Sequence, residues 1–303
     1  MIDVPEGYRS GFACFVGRPN AGKSTLTNAL VGTKVAITAD QPQTTRRAIR
    51  GIVHRDDAQL VLVDTPGLHR PRTLLGERLN DVVRDTLADV DVIGFCLPAN
   101  EKTGPGDRWI ARELASLRAP VVAIVTKTDL VTRAALAERL IAVDQLGEWA
   151  DIVPVSATRG DQVDVLADVI VGHLPEGPAM YPDGDLTDEP RDVTIAELVR
   201  EAALDGVRDE LPHSLAVVVE EVNERESMSG ATPVVDVSAT IFVERDSQKG
   251  IVIGRGGARL KDVGTRARQG IEALLERRVF LDLRVKVAKD WQRDPKQLGR
   301  LGF

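Results

Sequence analysis

The chain of 303 residues is acidic overall, with a formal net charge of −7, and 43% of its residues are hydrophobic, enough to build buried cores. The net charge excludes a uniformly basic nucleic-acid binder, and the length favours two domains over one. No apolar run approaches the roughly 20 residues that span a bilayer, and the N-terminus lacks the features of a signal peptide, so we expect a cytoplasmic location.

Short apolar runs alternate with longer amphipathic segments up to about residue 173. They predict strands at 11–16, 60–63, 92–97, 121–126 and 152–155, and helices at 23–31, 75–86, 107–117, 133–146 and 162–171. Continuous apolar strands separated by helices predict a mostly parallel sheet covered on both faces, hence an α/β nucleotide-binding domain over residues 1–173. Cys14 and Cys96 lie in two of these strands, where buried, reduced thiols are expected. The four histidines share no metal-ligand spacing, so no zinc site is expected.

The composition changes over residues 174–190, which hold four prolines and show no periodicity, so a linker is predicted there. A smaller α+β domain is expected over 191–303. Its predicted elements are a helix at 194–207, a strand at 214–221, a polar turn around 223–230, a strand at 234–243, a glycine-rich turn, a long helix at 258–277 and a strand at 279–287.

Charge divides along the chain in the same way. Residues 238–303 contain 15 Lys and Arg against 8 Asp and Glu, a net of +7, which leaves −14 for the part before them. This asymmetry indicates a C-terminal surface that faces a polyanion; the alternative is ordinary solvated charge on helices.

A phosphate-binding motif follows the first predicted strand. Residues 17–24 read Gly-Arg-Pro-Asn-Ala-Gly-Lys-Ser and match G-x-x-x-x-G-K-[ST], with a predicted helix directly after them. Backbone N–H groups of such a loop surround the β-phosphate, Lys23 reaches the β- and γ-phosphates, and the Ser24 hydroxyl binds Mg²⁺. The predicted nucleotide-binding residues here are Gly17, Asn20, Ala21, Gly22, Lys23, Ser24 and Thr25.

A second motif, Asp-Thr-Pro-Gly at 64–67, follows the strand at 60–63. Asp64 is predicted to hold Mg²⁺, through water, and the Gly67 N–H to sense the γ-phosphate and couple a mobile loop to hydrolysis. Alone, the motif is also typical of an ordinary turn; together with the first it is strong evidence for a nucleoside triphosphate site.

Guanine selection is predicted from residues at the next two strand ends. Asp129 can accept from two donors that guanine has and adenine lacks, Lys127 can lie along the base, and the Ala157 N–H, next to Ser156, can bond the guanine oxygen. Thr126 stands where such patterns usually begin with Asn; we expect it to lack the reach that ties this loop to the phosphate loop and so to lower affinity. ATP binding is the alternative.

A G-x-x-G turn, Gly254-Arg255-Gly256-Gly257, precedes the long C-terminal helix. Its glycines allow a close approach of a nucleic-acid backbone, although glycine-rich hairpins and helix caps look similar. Its setting resembles a type II KH domain, which favours RNA. The predicted RNA-binding residues are Ile253, Gly254, Arg255, Gly256, Gly257, Arg259 and Lys261. Ile251 and Ile253 suit a groove or the core, and the core is favoured for both; Trp291 suits base stacking or anchoring of the tail, and anchoring is favoured.

Taken together, the motifs resemble the bacterial Era GTPases over nearly the whole chain. The matching residues are Gly-Arg-Pro-Asn at 17–20, Gln-Thr-Thr-Arg at 43–46, Asp-Thr-Pro-Gly at 64–67, Tyr-Pro at 181–182, Thr-Asp at 187–188, Glu-Leu-Val-Arg-Glu at 197–201, Gly-Ile-Val-Ile-Gly at 250–254, Val-Lys-Val at 285–287 and Asp-Trp at 290–291. The expected fold is therefore a P-loop GTPase domain with a mostly parallel sheet, followed by a smaller α+β type II KH domain.

The resemblance also implies roles that spacing alone does not assign. It implies that Thr45, rather than Thr44, binds Mg²⁺ when GTP is present, so that Lys23, Thr45 and Gly67 carry the catalytic roles and Ser24, Thr45 and Asp64 hold the metal. It implies that Asn20 helps hold K⁺, the alternative being an amide that stabilises the loop. Leu68 cannot orient water, so slow intrinsic hydrolysis, accelerated by K⁺ or a bound target, is expected.

The partner implied by the resemblance is small-subunit (16S) ribosomal RNA near its 3′ end, within the assembling small ribosomal subunit. GTP would order the switch segments and shift the domain arrangement so that the RNA groove is exposed. A monomer is expected, with some peripheral contact to membrane. The alternatives are a metabolic GTPase whose C-terminal domain docks protein, and a regulatory GTPase whose basic face docks anionic lipid.

Overall fold

The computed structural model describes residues 4–38, 45–46, 48–68, 73–207, 211–225 and 234–302. These residues form two compact units, and the main division in the chain falls between Asp188 and Glu189, with the short segment 73–75 grouped with the second unit. Thr44, His69 and residues 226–230 of the predicted polar turn lie outside them. Within the described ranges, no helix combines the length and the apolar character needed to cross a membrane.

The first unit is a six-stranded sheet between helices. Its elements are β1 (Arg9–Val16), α1 (Lys23–Val31), β2 (Ile49–His54), β3 (Ala58–Asp64), α2 (Leu74–Asp89), β4 (Val92–Pro98), α3 (Pro105–Leu114), β5 (Val121–Thr126), α4 (Arg133–Asp144), β6 (Asp151–Pro154) and α5 (Val163–His173). The strand order is β2-β3-β1-β4-β5-β6, and only β2, among these strands, runs antiparallel to its neighbour. The predicted mostly parallel sheet is confirmed; β2 was not predicted.

Both faces of this sheet are buried, as the continuous apolar runs predicted. Along β1, Ala13 and Phe15 face a core that includes α1 and α5, while Cys14 and Val16 face a core that includes α2, α3 and α4. The two cysteines are buried and unpaired, as expected, and Cys96 belongs to the first of these cores. Burial raises the pKa of the Cys96 thiol to about 12 and that of Cys14 still further above its usual value.

Residues 174–188, here called the edge strap, belong to the first unit and form hydrogen bonds with its strands β2 and β3. The Ile52 N–H donates to the Leu186 carbonyl over 2.9 Å. The buried side chain of Gln59 accepts from the Met180 and Tyr181 N–H groups, at 2.6 and 2.9 Å, and donates to the Tyr181 carbonyl at 2.8 Å. The strap therefore covers the edge of β2, which would otherwise expose unpaired backbone groups.

The second unit packs helices on a three-stranded sheet. Its elements are α6 (Arg191–Leu204), α7 (Leu211–Ser214), β7 (Ala216–Arg225), β8 (Val234–Val243), α8 (Asp246–Ile253), α9 (Ala258–Leu275), β9 (Arg278–Val287) and α10 (Pro295–Arg300). In the order β7-β8-β9, β7 is antiparallel and β9 parallel to β8. Apolar residues of α6, α9 and β8 form one core. The prediction missed α8, which occupies the apolar run before the G-x-x-G turn.

The C-terminal tail is held by Trp291. Its side chain is fully buried, and its indole N–H donates to the Ser214 carbonyl over 3.1 Å. Of the two roles considered for this residue, the structure supports anchoring, because a fully buried ring offers no face to a base.

Candidate nucleotide site and nucleic-acid interface

The predicted nucleotide-binding residues gather at one edge of the first sheet. Gly17 directly follows β1, Asp64 ends β3, Thr126 ends β5, and Ser156 comes two residues after β6. These strands are parallel, so their carboxyl ends lie on the same side, where ligands bind in open α/β sheets.

The phosphate loop has the backbone that its glycines allow. Gly22 is in the left-handed region at φ 93° and caps α1, the helix that contains Ser24 and Thr25. Asn20 is left-handed too, at φ 62°, and exposed. Lys23 is buried, and its ammonium donates to the Gly17 and Arg18 carbonyls at 3.3 and 3.2 Å. The loop thus forms a cradle with a cation inside and a helix N-terminus behind it, which suits a phosphate group.

The three predicted magnesium ligands converge on one point. The Ser24 and Thr45 hydroxyls lie 2.8 and 3.0 Å from Asp64 Oδ2, and 3.0 Å from each other. The other carboxylate oxygen, Asp64 Oδ1, is buried and has no hydrogen-bond partner among the described residues. Two hydroxyls and a carboxylate with one unsatisfied oxygen form the hard oxygen set that Mg²⁺ prefers, so the residues fit this ion.

The buried charges of Lys23 and Asp64 lie close enough to influence each other. Burial raises the pKa of the Asp64 carboxyl above its ordinary value, against the opposing effects of the Ser24 hydrogen bond and the Lys23 charge. Burial likewise lowers the pKa of Lys23, and the Asp64 charge opposes this. Both shifts reflect charged groups removed from water, and ligands of opposite charge would relieve them.

The segment after Asp64 lies against the phosphate loop. A side chain at Gly67 would place its Cβ 3.0 Å from the Pro19 nitrogen, so this contact requires glycine or a shift of the backbone. Leu68 is 5% exposed and packs in the core. Its side chain is therefore directed into the protein, in agreement with the expectation that it cannot orient water.

The guanine-recognition residues also come together. The Ser156 hydroxyl is buried and donates to Asp129 Oδ1 over 2.7 Å, which fixes the carboxylate. Lys127 has a left-handed backbone at φ 58°, and Ala157 packs partly buried against the core beside Ser156. A carboxylate fixed in this way suits the paired donors of guanine.

The expectation that the Thr126 side chain is too short to tie its loop to the phosphate loop was wrong. Its hydroxyl is buried and donates to the Ala21 carbonyl in the phosphate loop over 2.7 Å. The same residue's carbonyl accepts from the Ala99 N–H over 2.7 Å. The short side chain therefore ties the two loops together, because the chain segments are close enough for a hydroxyl to reach.

The G-x-x-G turn has left-handed backbone at Gly254, Gly256 and Gly257, with φ of 73°, 59° and 80°. At Gly254 an added Cβ would meet the Arg259 Cβ at 2.7 Å, whereas the space around Gly256 is open. The first glycine is thus required by packing, and the third position of the turn leaves room for another molecule.

The predicted RNA-binding side chains differ in how free they are. Arg255 and Lys261 are exposed and, among the described residues, have no ion-pair partner. Arg259 instead donates to the Ala203 and Asp205 carbonyls at 3.2 and 2.8 Å, so its guanidinium is engaged at the end of α6. Ile253 is partly buried against the core. The neighbouring Ile251 is 54% exposed, contrary to the core position that we favoured for it.

Comparison with known proteins agrees with this division of the chain. A family described as "50S ribosome-binding GTPase" matches residues 12–127, and a family described as "KH domain" matches residues 210–292. The fold and the gathered motifs therefore define a P-loop GTPase joined to a C-terminal KH domain, the fold class that the sequence predicted.

Relatives of the whole chain identify the family. The chain is 72% identical to a GTPase Era of Streptomyces coelicolor, covering 98% of this chain and 95% of that protein. It is 66% identical to a GTPase Era of Mycolicibacterium smegmatis, covering 98% and 99%. The chain belongs to the GTPase Era family.

Two solved structures are similar over nearly the full length. One is Era in complex with MgGDPNP and nucleotides 1506–1542 of 16S ribosomal RNA, 36% identical, with a TM-score of 0.92 over 97% of this chain and 99% of that one. The other is a single-residue variant of Aquifex aeolicus Era bound to GDP·AlF4⁻, 35% identical, with the same TM-score and coverage. The chain is thus a GTP-hydrolysing enzyme of known architecture.

Proposed function

We propose that this GTPase uses its nucleotide state to control binding of the 3′ end of small-subunit (16S) ribosomal RNA, and so assists assembly of the small ribosomal subunit. In this proposal residues 1–173 form the nucleotide-binding domain, 174–190 a connecting segment that includes the edge strap along the first unit, and 191–303 the RNA-binding domain. The observation that carries the proposal is the open G-x-x-G turn with exposed Arg255, in a chain whose full length is similar to Era bound to that RNA. The family that includes 50S ribosome-binding GTPases matches only the first unit, so it has less weight in choosing the RNA.

The nucleotide chemistry follows from the residues at the sheet edge. Lys23 and the loop N–H groups hold the β- and γ-phosphates, the Gly67 N–H contacts the γ-phosphate, and Asp129 selects guanine. Ser24, Thr45 and Asp64 would hold Mg²⁺, which would supply positive charge where negative charge develops on the phosphates. Thr45 and Gly67 belong to segments that flank the β2–β3 hairpin, so they can report the presence of the γ-phosphate to the rest of the chain.

Slow intrinsic hydrolysis and stimulation by K⁺ complete the enzymatic part of the proposal. Leu68 is buried and offers no group to orient water, and Asn20 is exposed on the phosphate loop. The variant Asn20→Gly keeps the left-handed backbone without strain and removes the amide. Hydrolysis measured in KCl and in NaCl should be faster in KCl for the wild type and equal in the two salts for the variant. Fast turnover in NaCl without a partner would contradict the proposal, and weaker GDP binding of the variant in both salts would favour a loop-stabilising role for the amide.

The RNA part is tested by titration. A labelled single-stranded oligonucleotide from the 3′ end of 16S RNA is compared with a scrambled one, in GDP and in a non-hydrolysable GTP analogue. Gly256→Asp adds a negative charge at an open left-handed position that Asp tolerates. Gly7→Asp makes the same change at an open left-handed glycine, φ 79°, in the first unit, and serves as the matched control.

The proposal expects tighter binding of the cognate RNA, more so with the GTP analogue, and loss of this binding in Gly256→Asp only. Equal, weak and steeply salt-dependent binding of both RNAs would mean non-specific charge attraction and would contradict the RNA function. We further propose a cytoplasmic monomer with peripheral membrane contact. Co-sedimentation with vesicles of anionic but not zwitterionic lipid would support that membrane contact. No co-sedimentation with anionic vesicles would contradict it.

A further inference from the structure

Arg18, the second residue of the phosphate loop, forms an ion-pair network that nucleotide binding alone does not explain. Its Nε donates to Asp107 Oδ1 over 2.7 Å, and its Nη2 donates to Glu101 Oε2 over 3.0 Å. The Asp107 side chain is fully buried at the start of α3, where its other oxygen accepts from the Gly104 N–H at 2.8 Å. Because this carboxylate is fixed by its own helix and shielded from water, its pair with Arg18 is stronger than a surface ion pair.

A second arginine supports these carboxylates from α4. Arg139 is buried, and it donates to the Pro98 carbonyl at 3.2 Å and to the Thr103 hydroxyl at 2.6 Å. Its charge interacts with both Asp107 and Glu101. The segment between β4 and α3 is thus held in place by contacts that do not involve Arg18.

The backbone of Arg18 lies next to the reacting groups. Its carbonyl accepts from the Lys23 ammonium at 3.2 Å and from the Ala21 N–H at 3.2 Å. The following residue, Pro19, is the one whose backbone nitrogen a Cβ at Gly67 would approach to 3.0 Å. A displacement of Arg18 would therefore move Lys23 and the contact between the phosphate loop and Gly67 together.

We infer that Arg18 is a positioning residue for GTP hydrolysis, which acts by anchoring the phosphate loop to Asp107 of α3. The anchor holds the loop where Lys23 and Gly67 meet the γ-phosphate, and small displacements of such groups reduce the rate of the chemical step more than ground-state binding. The predicted loss is therefore larger in turnover than in GDP affinity, because GDP keeps the β-phosphate contact of Lys23 but lacks the γ-phosphate, on which both Lys23 and Gly67 act during hydrolysis.

The test uses the full-length protein and the variants Arg18→Gln, Arg18→Lys and Asp107→Asn. Arg55→Gln is the matched control, because Arg55 pairs with Asp168 at 2.6 Å and its side chain is 31% exposed, against 30% for Arg18. Turnover number, KM for GTP and the dissociation constant of a fluorescent GDP are measured for each, with a thermal unfolding curve to verify folding.

We expect Arg18→Gln and Asp107→Asn each to reduce the turnover number about tenfold, with less than about threefold change in GDP affinity. The variant that combines Arg18→Gln with Asp107→Asn should be no slower than either single variant, because both remove the same ion pair. Arg18→Lys should recover part of the rate, and Arg55→Gln should match the wild type. An unchanged turnover number in folded Arg18→Gln would overturn the inference. So would a fall in GDP affinity as large as the fall in rate, because that would assign the pair to pocket stability alone.

Discussion

The hydroxyl of Thr126 connects the guanine-recognition loop with the phosphate loop. Thr126 donates to the Ala21 carbonyl and so makes the connection for which its side chain was expected to be too short. Because the hydroxyl and its acceptor are both buried, removing the donor leaves a carbonyl without a partner. Such a loss costs more than an exposed hydrogen bond contributes.

The variant Thr126→Ala tests this tie. We expect its affinity for GDP to fall by roughly five- to thirtyfold, the equivalent of about 1–2 kcal/mol for an orphaned buried acceptor. Thr126→Ser keeps the hydroxyl and should remain within about threefold of the wild type. Calorimetric titration with GDP gives the affinities; equal values for Thr126→Ala and Thr126→Ser would show that the bond does not contribute.

The residues that could be assigned from the sequence differ from the others in how far along the chain their interaction partners lie. Ser24, Lys23, Asp64 and Asp129 belong to local motifs, whose chemistry depends on neighbours within a few positions. The partners of Thr126 and Arg18 lie 105 and 89 residues away, so only the folded sheet brings them together. Thr45 was chosen by resemblance, and its position beside Asp64 supports that choice.

Among the elements, the edge strap is the one whose structure was least expected. Its prolines and glycines suggested a linker, yet its backbone bonds to β2 and to the buried side chain of Gln59. A side-chain amide can satisfy backbone groups that no strand reaches, and three such bonds replace a missing strand partner.

The variant Gln59→Leu should therefore destabilise the first unit. Its loss leaves the Met180 and Tyr181 N–H groups unsatisfied, and we expect the free energy of unfolding to fall by about 2–4 kcal/mol. Urea unfolding measures this, and hydrogen exchange of residues 178–188 should accelerate in parallel. Gln145→Leu, at the exposed end of α4, is the control. A stability within about 0.5 kcal/mol of the wild type would show that the strap is held by other contacts.

Element prediction succeeded where the pattern was local. The predicted bounds of α1 and β5 coincide with the observed ones, because each is a continuous periodic or apolar segment with clear ends. The edge strand β2 was missed because Arg50 and Gly51 break its apolar pattern, and pairing with β3 forms it. The helix α8 was missed because its second half, Gly250–Ile253, is a glycine followed by β-branched residues, which are poor helix formers. Its start is fixed by the Gln248 side chain, which accepts from the Glu244 and Arg245 N–H groups at 2.9 and 3.0 Å.

At the scale of the whole molecule, the central claim is that nucleotide binding to the first unit and RNA binding to the second are thermodynamically coupled. In the proposed function, nucleotide binds residues of the first unit and RNA binds the second, which contains the basic region, residues 238–303, of net charge +7. If GTP raises the affinity for RNA by some factor, thermodynamic linkage requires RNA to raise the affinity for GTP by the same factor. Charge attraction alone would give RNA binding that is independent of the nucleotide.

The most direct measurement is therefore the affinity of the full-length protein for a non-hydrolysable GTP analogue and for GDP, each with and without the 3′-terminal 16S oligonucleotide at saturating concentration. The account predicts that the RNA tightens binding of the analogue but not of GDP, by the same factor by which the analogue tightens RNA binding, about 5–150-fold for typical coupling. In Gly256→Asp the RNA should have no effect, while both nucleotides still bind. Unchanged affinity for the analogue in the presence of bound RNA would contradict the claim that the nucleotide controls the RNA-binding domain.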